Sequence, residues 1–124
     1  MTDYKKADGS KLRRETRRQA AINAKVFRVL AKHDDDSTAF HEVSHWAYFP
    51  TESSQADFAE SVRRLGYSVL YTEPYSYSDE TPFGVEFVRR ESIRPAILNS
   101  VCAELALLAE SLGGVYDGWE TQVI

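Results

Sequence analysis

Cysteine is almost missing from this chain: Cys102 is the only one among 124 residues. No internal disulfide can form, so packing must hold the fold, as is usual in a reducing compartment. Apolar runs are short as well. No stretch of about 18 apolar residues occurs, which excludes a membrane-spanning helix. The opening Met1-Thr2-Asp3-Tyr4-Lys5-Lys6 lacks the apolar core of a signal peptide, so the expected location is the cytoplasm. Histidine is scarce, at positions 33, 41 and 45 only. His41 and His45 would share a strand face, but at roughly 3.3 Å per residue their α-carbons stand about 13 Å apart, too far for one ion. His33 precedes Asp34, Asp35 and Asp36 in a turn, where adjacent residues rarely converge on a metal. Gly-x-Ser-x-Gly, Walker and dinucleotide patterns are absent, and no nucleophile has a plausible base beside it. A noncatalytic protein without metal or cofactor is expected.

What is present suits one small folded domain. The composition is 43% hydrophobic and 12% aromatic, typical of a packed chain rather than a disordered one. The net charge of −4 conceals a strong polarity. Residues 1–30 hold nine Lys/Arg (5, 6, 11, 13, 14, 17, 18, 25 and 28) against Asp3, Asp8 and Glu15, a balance of +6, which leaves −10 for residues 31–124. A basic arm can meet nucleic acid or an acidic surface; an acidic body repels phosphate and attracts Arg-rich chains.

Residues 1–9 are polar and end at Asp8-Gly9, which reads as a flexible terminus. From Ser10, a plausible N-cap, a helix is expected over 10–33, with Leu12, Gln19, Ile22, Val26, Val29 and Leu30 in one stripe. Arg13, Arg14, Arg17 and Arg18 crowd its first half, as a solvated face or a docking surface. Residues 38–49 alternate as a strand: Phe40, Glu42, Ser44, Trp46 and Tyr48 against His41, Val43, His45, Ala47 and Phe49. Large apolar groups on both faces predict a central strand. Thr51 can cap a helix through Leu65, stopped by Gly66. A strand over 67–73 follows, then a loop from Pro74 to Pro82 whose Tyr75 and Tyr77 are candidate exposed aromatics for a partner. Phe83 to Arg90 reads as a strand antiparallel to the previous one. Pro95 opens a helix with a wide apolar stripe that includes Cys102, an inert packed thiol by this reading. The body over 38–124 is thus β-α-β-β-α-β, the ferredoxin-like α+β arrangement, with an additional N-terminal helix.

The stretch after that helix carries the most information. Gly113-Gly114 suits a helix end, and Asp117-Gly118 inside a strand suggests a bulge. Without a bulge, Tyr116 and Trp119 point to opposite faces; one extra residue puts both rings on the same face. Trp119 then either fills the core or meets a partner. The fourth strand should lie beside the first, so Tyr116, Asp117 and Trp119 should neighbour His45 and Trp46. An aspartate beside a histidine would favour the charged imidazole. RNA-recognition modules share the β-α-β-β-α-β order, but here only Phe83-Gly84 fits their third strand. Glu86 puts a carboxylate where phosphates would approach, so RNA stacking on the sheet is disfavoured.

Glu15-Thr16-Arg17, His45-Trp46-Ala47-Tyr48-Phe49-Pro50, Leu65-Gly66-Tyr67 and Tyr116-Asp117-Gly118-Trp119, in this order and spacing, resemble the RraB-like ribonuclease E inhibitors. The resemblance runs from about Arg14 to Thr121. It implies a bacterial, noncatalytic protein that binds ribonuclease E at a disordered, Arg-rich scaffold segment and restrains RNA turnover. With that implication, His45, Trp46, Tyr75, Tyr77, Tyr116, Asp117 and Trp119 are the expected partner-binding residues. Better-known members carry a strongly acidic C-terminal tail that is not seen after this motif here, and the first helix is markedly basic. Another basic protein partner, or weak RNA contact through the first helix, is the alternative.

Overall fold

The computed structural model describes residues 9–33, 35–71 and 79–122. The expectations for residues 1–8 and for the loop bearing Tyr75 and Tyr77 lie outside them. Gly9, expected in the flexible terminus, instead opens the first helix. The elements run α1 (Gly9–Lys32), β1 (Phe40–Phe49), α2 (Glu52–Arg64), β2 (Ser68–Tyr71), β3 (Phe83–Ser92), α3 (Pro95–Ser111) and β4 (Val115–Thr121). The molecule is α+β, with its four strands in the order β2-β3-β1-β4. Every neighbouring pair is antiparallel.

β1 is central, as its two-sided apolar pattern predicts. Its alternation sends His41, Val43, His45, Ala47 and Phe49 to one face, all of them buried. On the other face Tyr48 is buried, while Phe40, Glu42, Ser44 and Trp46 are half-buried or exposed. The helices cover the first face. Phe58 and Val62 of α2 and Leu105, Leu108 and Ala109 of α3 join Ala47, Phe49, Val85 and Phe87 in one apolar cluster. Phe58 anchors it, its ring centroid 4.8 Å from Phe49 and 5.2 Å from Phe87. Each such fully buried ring contributes about 1.5–3 kcal/mol over an exposed one.

Local chemistry sets the ends. Thr51 caps α2, its hydroxyl oxygen accepting from the Ser54 amide at 3.0 Å. Gly113 ends α3 in the left-handed region at φ +78°. Gly114 serves a different need: a Cβ there would strike the Phe49 ring and stand 2.6 Å from the Tyr48 carbonyl oxygen. The backbone turns into β4 in direct contact with the end of β1, and only hydrogen fits between them.

α1 departs from the expected stripe. Ile22, Val26 and Val29 are exposed at 53%, 36% and 48%, whereas Gln19, Asn23 and Leu30 are buried. The helix lies along α3; Leu30 and Phe27 join Val43, Ile93 and Leu98 in a second apolar cluster, and a polar contact stands beside it. Asn23 Nδ2 donates to Asn99 Oδ1 at 2.8 Å and Asn23 Oδ1 accepts from the Trp119 indole N–H at 3.0 Å. Polar groups with partners can be buried at little cost, so the helix turns its asparagine inward and leaves the valines at the flank.

Candidate functional site

β4 carries the bulge. Ala47 pairs with Tyr116 and Trp46 with Gly118, so Asp117 is the extra residue. Gly118 takes φ +119°, a conformation L side chains rarely adopt. The extra residue puts Tyr116 and Trp119 on the same, helix-facing side, opposite Ala47 and His45. Asp117 itself is exposed beside α1, in a shallow groove with Arg18, Ile22 and Val26.

Under the sheet lies a continuous chain of polar contacts. The His45 Nε2–H faces Glu91 Oε2 at 2.8 Å, and His45 Nδ1 lies 2.8 Å from the Tyr116 hydroxyl. That hydroxyl is 3.4 Å from Cys102 Sγ, and Asn23 Nδ2 reaches the same sulfur at 3.8 Å. On the other side Glu91 accepts from the Tyr67 hydroxyl at 3.2 Å and from Arg89 Nη2 at 3.1 Å. Arg89 continues to the Leu65 carbonyl at 2.6 Å, and its guanidinium carbon sits 4.1 Å from the Tyr67 ring centre. The His45 ring stacks on Phe87 at 5.1 Å. Burial, then the Glu91 charge, pushes the Tyr67 phenol well above its ordinary range. Burial, then Cys102, does the same to Tyr116. Burial also raises the Cys102 thiol to about 11. All three stay protonated at neutral pH. Both His45 and Cys102 are wholly enclosed, so no substrate reaches the imidazole or the thiol. The network stitches α1, α3, β1, β3 and β4 together.

The expected partner residues therefore separate. His45 has no exposed surface and holds the interior. The carboxylate beside it is Glu91, not Asp117, because the bulge swings Asp117 away from β1. Tyr116 and Trp119 are half-buried, with their polar atoms turned inward to His45 and Asn23. Among the described ones, Trp46 and Asp117 present surface outward, and Tyr75 and Tyr77 lie outside the described residues. Trp46 stands on the uncovered face in a row that reads Leu70, Glu86, Trp46, Gly118 across the sheet. A Cβ at Gly118 would meet nothing within 4 Å, so the row is open at that position, while Trp46 itself is half-buried. The adjoining row reads Ser68, Val88, Ser44, Glu120, and Glu42 follows on β1.

Glu91, Tyr67 and Asn23 were not among the expected site residues. Extending the β3 alternation Val85, Phe87, Arg89 by one more step places Glu91 inward, and a carboxylate at an inward position was the available signal. His41 likewise finds Asp35, with Nε2 2.9 Å from Oδ1 and both side chains fully buried. That pair staples the end of α1 to the start of β1.

Fold and site thus define an α+β domain that buries His45 and Cys102 and, among the described residues, packs its helices on one face of the sheet only. The family model described as Regulator of ribonuclease activity B matches residues 20–121, and the chain belongs to that family. It is a family of regulators; three of the four short motifs lie within the matched residues, and Glu15-Thr16-Arg17 lies before them. No curated protein matches the chain. Among the described residues no helix is long and apolar enough to cross a membrane.

Proposed function

We propose that this chain is a noncatalytic, cytoplasmic regulator that binds ribonuclease E, taking an Arg-rich segment of it across the open face of the sheet. The antiparallel order β2-β3-β1-β4 supports reading the body as the ferredoxin-like arrangement with α1 added. That arrangement leaves one face to solvent. The observation that carries the proposal is Trp46 on that face, paired across the strands with Glu86 and with Glu120 in the adjoining row. A guanidinium can lie on the indole face while its N–H groups meet carboxylates in pairs. The −10 charge of residues 31–124 adds long-range attraction for a basic chain. Asp117 extends the acidic surface around the rim, and Tyr75 and Tyr77 remain proposed aromatic contacts. Tyr116, Trp119 and His45 support the surface from beneath.

Titration of an Arg-rich ribonuclease E segment tests the reading. Trp46→Ala should weaken binding by about tenfold or more, as interface aromatics do. Glu86→Gln with Glu120→Gln should slow association and flatten its salt dependence. Melting temperatures should hardly move. Undiminished affinity in both variants would end the proposal for this face.

A further inference from the structure

The acidic body has one electropositive corner. Residues 31–124 contain six Lys/Arg (32, 63, 64, 89, 90 and 94), and Arg89, Arg90 and Arg94 line a single cavity of about 530 Å³. It lies where β3 ends and α3 begins, with Phe40, Ile97 and Thr38 on its walls. Phe40 is 56% exposed and Ile97 48%. The volume falls within the range of small-molecule sites, about 300–1,000 Å³.

The charges are available. Arg90 makes only a long 3.5 Å hydrogen bond to the Phe40 carbonyl, and Arg94 forms no ion pair among the described residues. Arg89 is committed to Glu91 and the Leu65 carbonyl, yet its Nε is buried with no hydrogen-bond partner. The one carboxylate on the cavity wall is Glu91, already engaged by His45, Tyr67 and Arg89. Glu42 pairs in register with Arg90, but no ion pair joins them. What remains is guanidinium charge next to an uncovered aromatic ring in an otherwise acidic body.

We infer that this cavity binds a phosphomonoester that carries a flat ring, the chemistry of a nucleotide. Guanidinium groups of Arg90 and Arg94 would hold the phosphate and Phe40 would stack the ring. A free nucleotide and the 5′-terminal nucleotide of an RNA share this chemistry.

Calorimetric titrations of the full chain with adenosine 5′-monophosphate, ribose 5-phosphate and inorganic phosphate test it, alongside short oligonucleotides with and without a 5′-phosphate. Adenosine monophosphate should bind saturably, about tenfold or more tighter than ribose 5-phosphate. Arg90→Gln with Arg94→Gln should weaken every phosphate ligand by at least about tenfold. Phe40→Ala should remove the advantage of the ring and leave ribose 5-phosphate unchanged. All three side chains are exposed, and melting curves verify that the variants fold. Binding of the monophosphate alone identifies a free nucleotide; equal preference for the 5′-phosphorylated oligonucleotide identifies an RNA end. No saturable binding by the monophosphate at millimolar concentration would overturn the inference, as would affinities unmoved by the double arginine variant. Oligonucleotide binding indifferent to the 5′-phosphate, with the monophosphate silent, would also overturn it and point to the arginines of α1.

Discussion

Replacing Glu91 by alanine should unsettle the whole interior. The carboxylate is 6% exposed and takes hydrogen bonds from His45, Tyr67 and Arg89. Its loss takes the buried acceptor from His45 and Tyr67, while Arg89, 29% exposed, keeps the Leu65 carbonyl. Removing one partner of such a buried pair costs about 3–5 kcal/mol, a large share of the roughly 5–15 kcal/mol that holds a domain together. For a chain of this size the melting temperature should fall by roughly 10–20 °C. Glu91→Gln keeps the shape and one acceptor, so its cost should be nearer 1–3 kcal/mol. His45→Ala should be comparably severe, and the double variant less severe than the sum, with a coupling of about 1–3 kcal/mol. Urea unfolding followed by tryptophan fluorescence and far-ultraviolet circular dichroism measures all four. A Glu91→Ala cost under about 1 kcal/mol would refute the claim that the network holds the elements together. So would additivity of the two single changes to within about 0.5 kcal/mol.

Trp119→Ala should cost about 2–4 kcal/mol, since the half-buried indole packs on Phe27 at 5.8 Å and bonds Asn23, while exposed Asp117→Asn should stay within about 0.5 kcal/mol. If urea melts show Asp117→Asn as damaging as Trp119→Ala, the aspartate is part of the structural corner and its proposed role in binding falls. Cys102 gives a pH test: folding raises its thiol from 9.0 to about 11, so the folded chain holds that proton more tightly. The associated stability is complete below about pH 9 and is lost as pH climbs through about 11, roughly 3 kcal/mol in all. Cys102→Ala should therefore lose stability less steeply in alkali; parallel curves for the two proteins would rule this out.

Much of the fold was legible because apolar alternation and helical spacing report directly on burial. β1 shows this best: its two residue sets fall on the two faces as read, and its central place follows. The bulge at Asp117 was likewise visible in a glycine that interrupts a strand. In α1 the helix and the inward Gln19 and Leu30 were read as found, but Ile22, Val26 and Val29 were misplaced for a physical reason. Periodicity weighs side chains by hydrophobicity and is blind to partners, so Asn23, satisfied by Asn99 and Trp119, stayed hidden behind Ile22 and Val26. The interior network was hidden for the same reason. His45, Glu91 and Tyr116 lie 46 and 71 positions apart, measured from His45, and only the sheet order brings them together. Alternation also left open which face of β1 the helices would cover, and that choice encloses His45 and leaves Trp46 half-buried on the other face.

The two rims of the sheet bear on how the molecule can associate. A rim strand offers unpaired N–H and C=O groups that recruit further strands, from partners or from copies of itself. Among the described residues one rim is β2 (Ser68–Tyr71), and the other, β4, is broken by the extra residue at Asp117. The break in β4 denies an incoming chain a straight ladder to extend on that rim. A partner meeting that rim would find side chains rather than a backbone ladder to pair with. The same geometry keeps neighbouring copies in a crowded cell from zipping along that rim into fibrous aggregates.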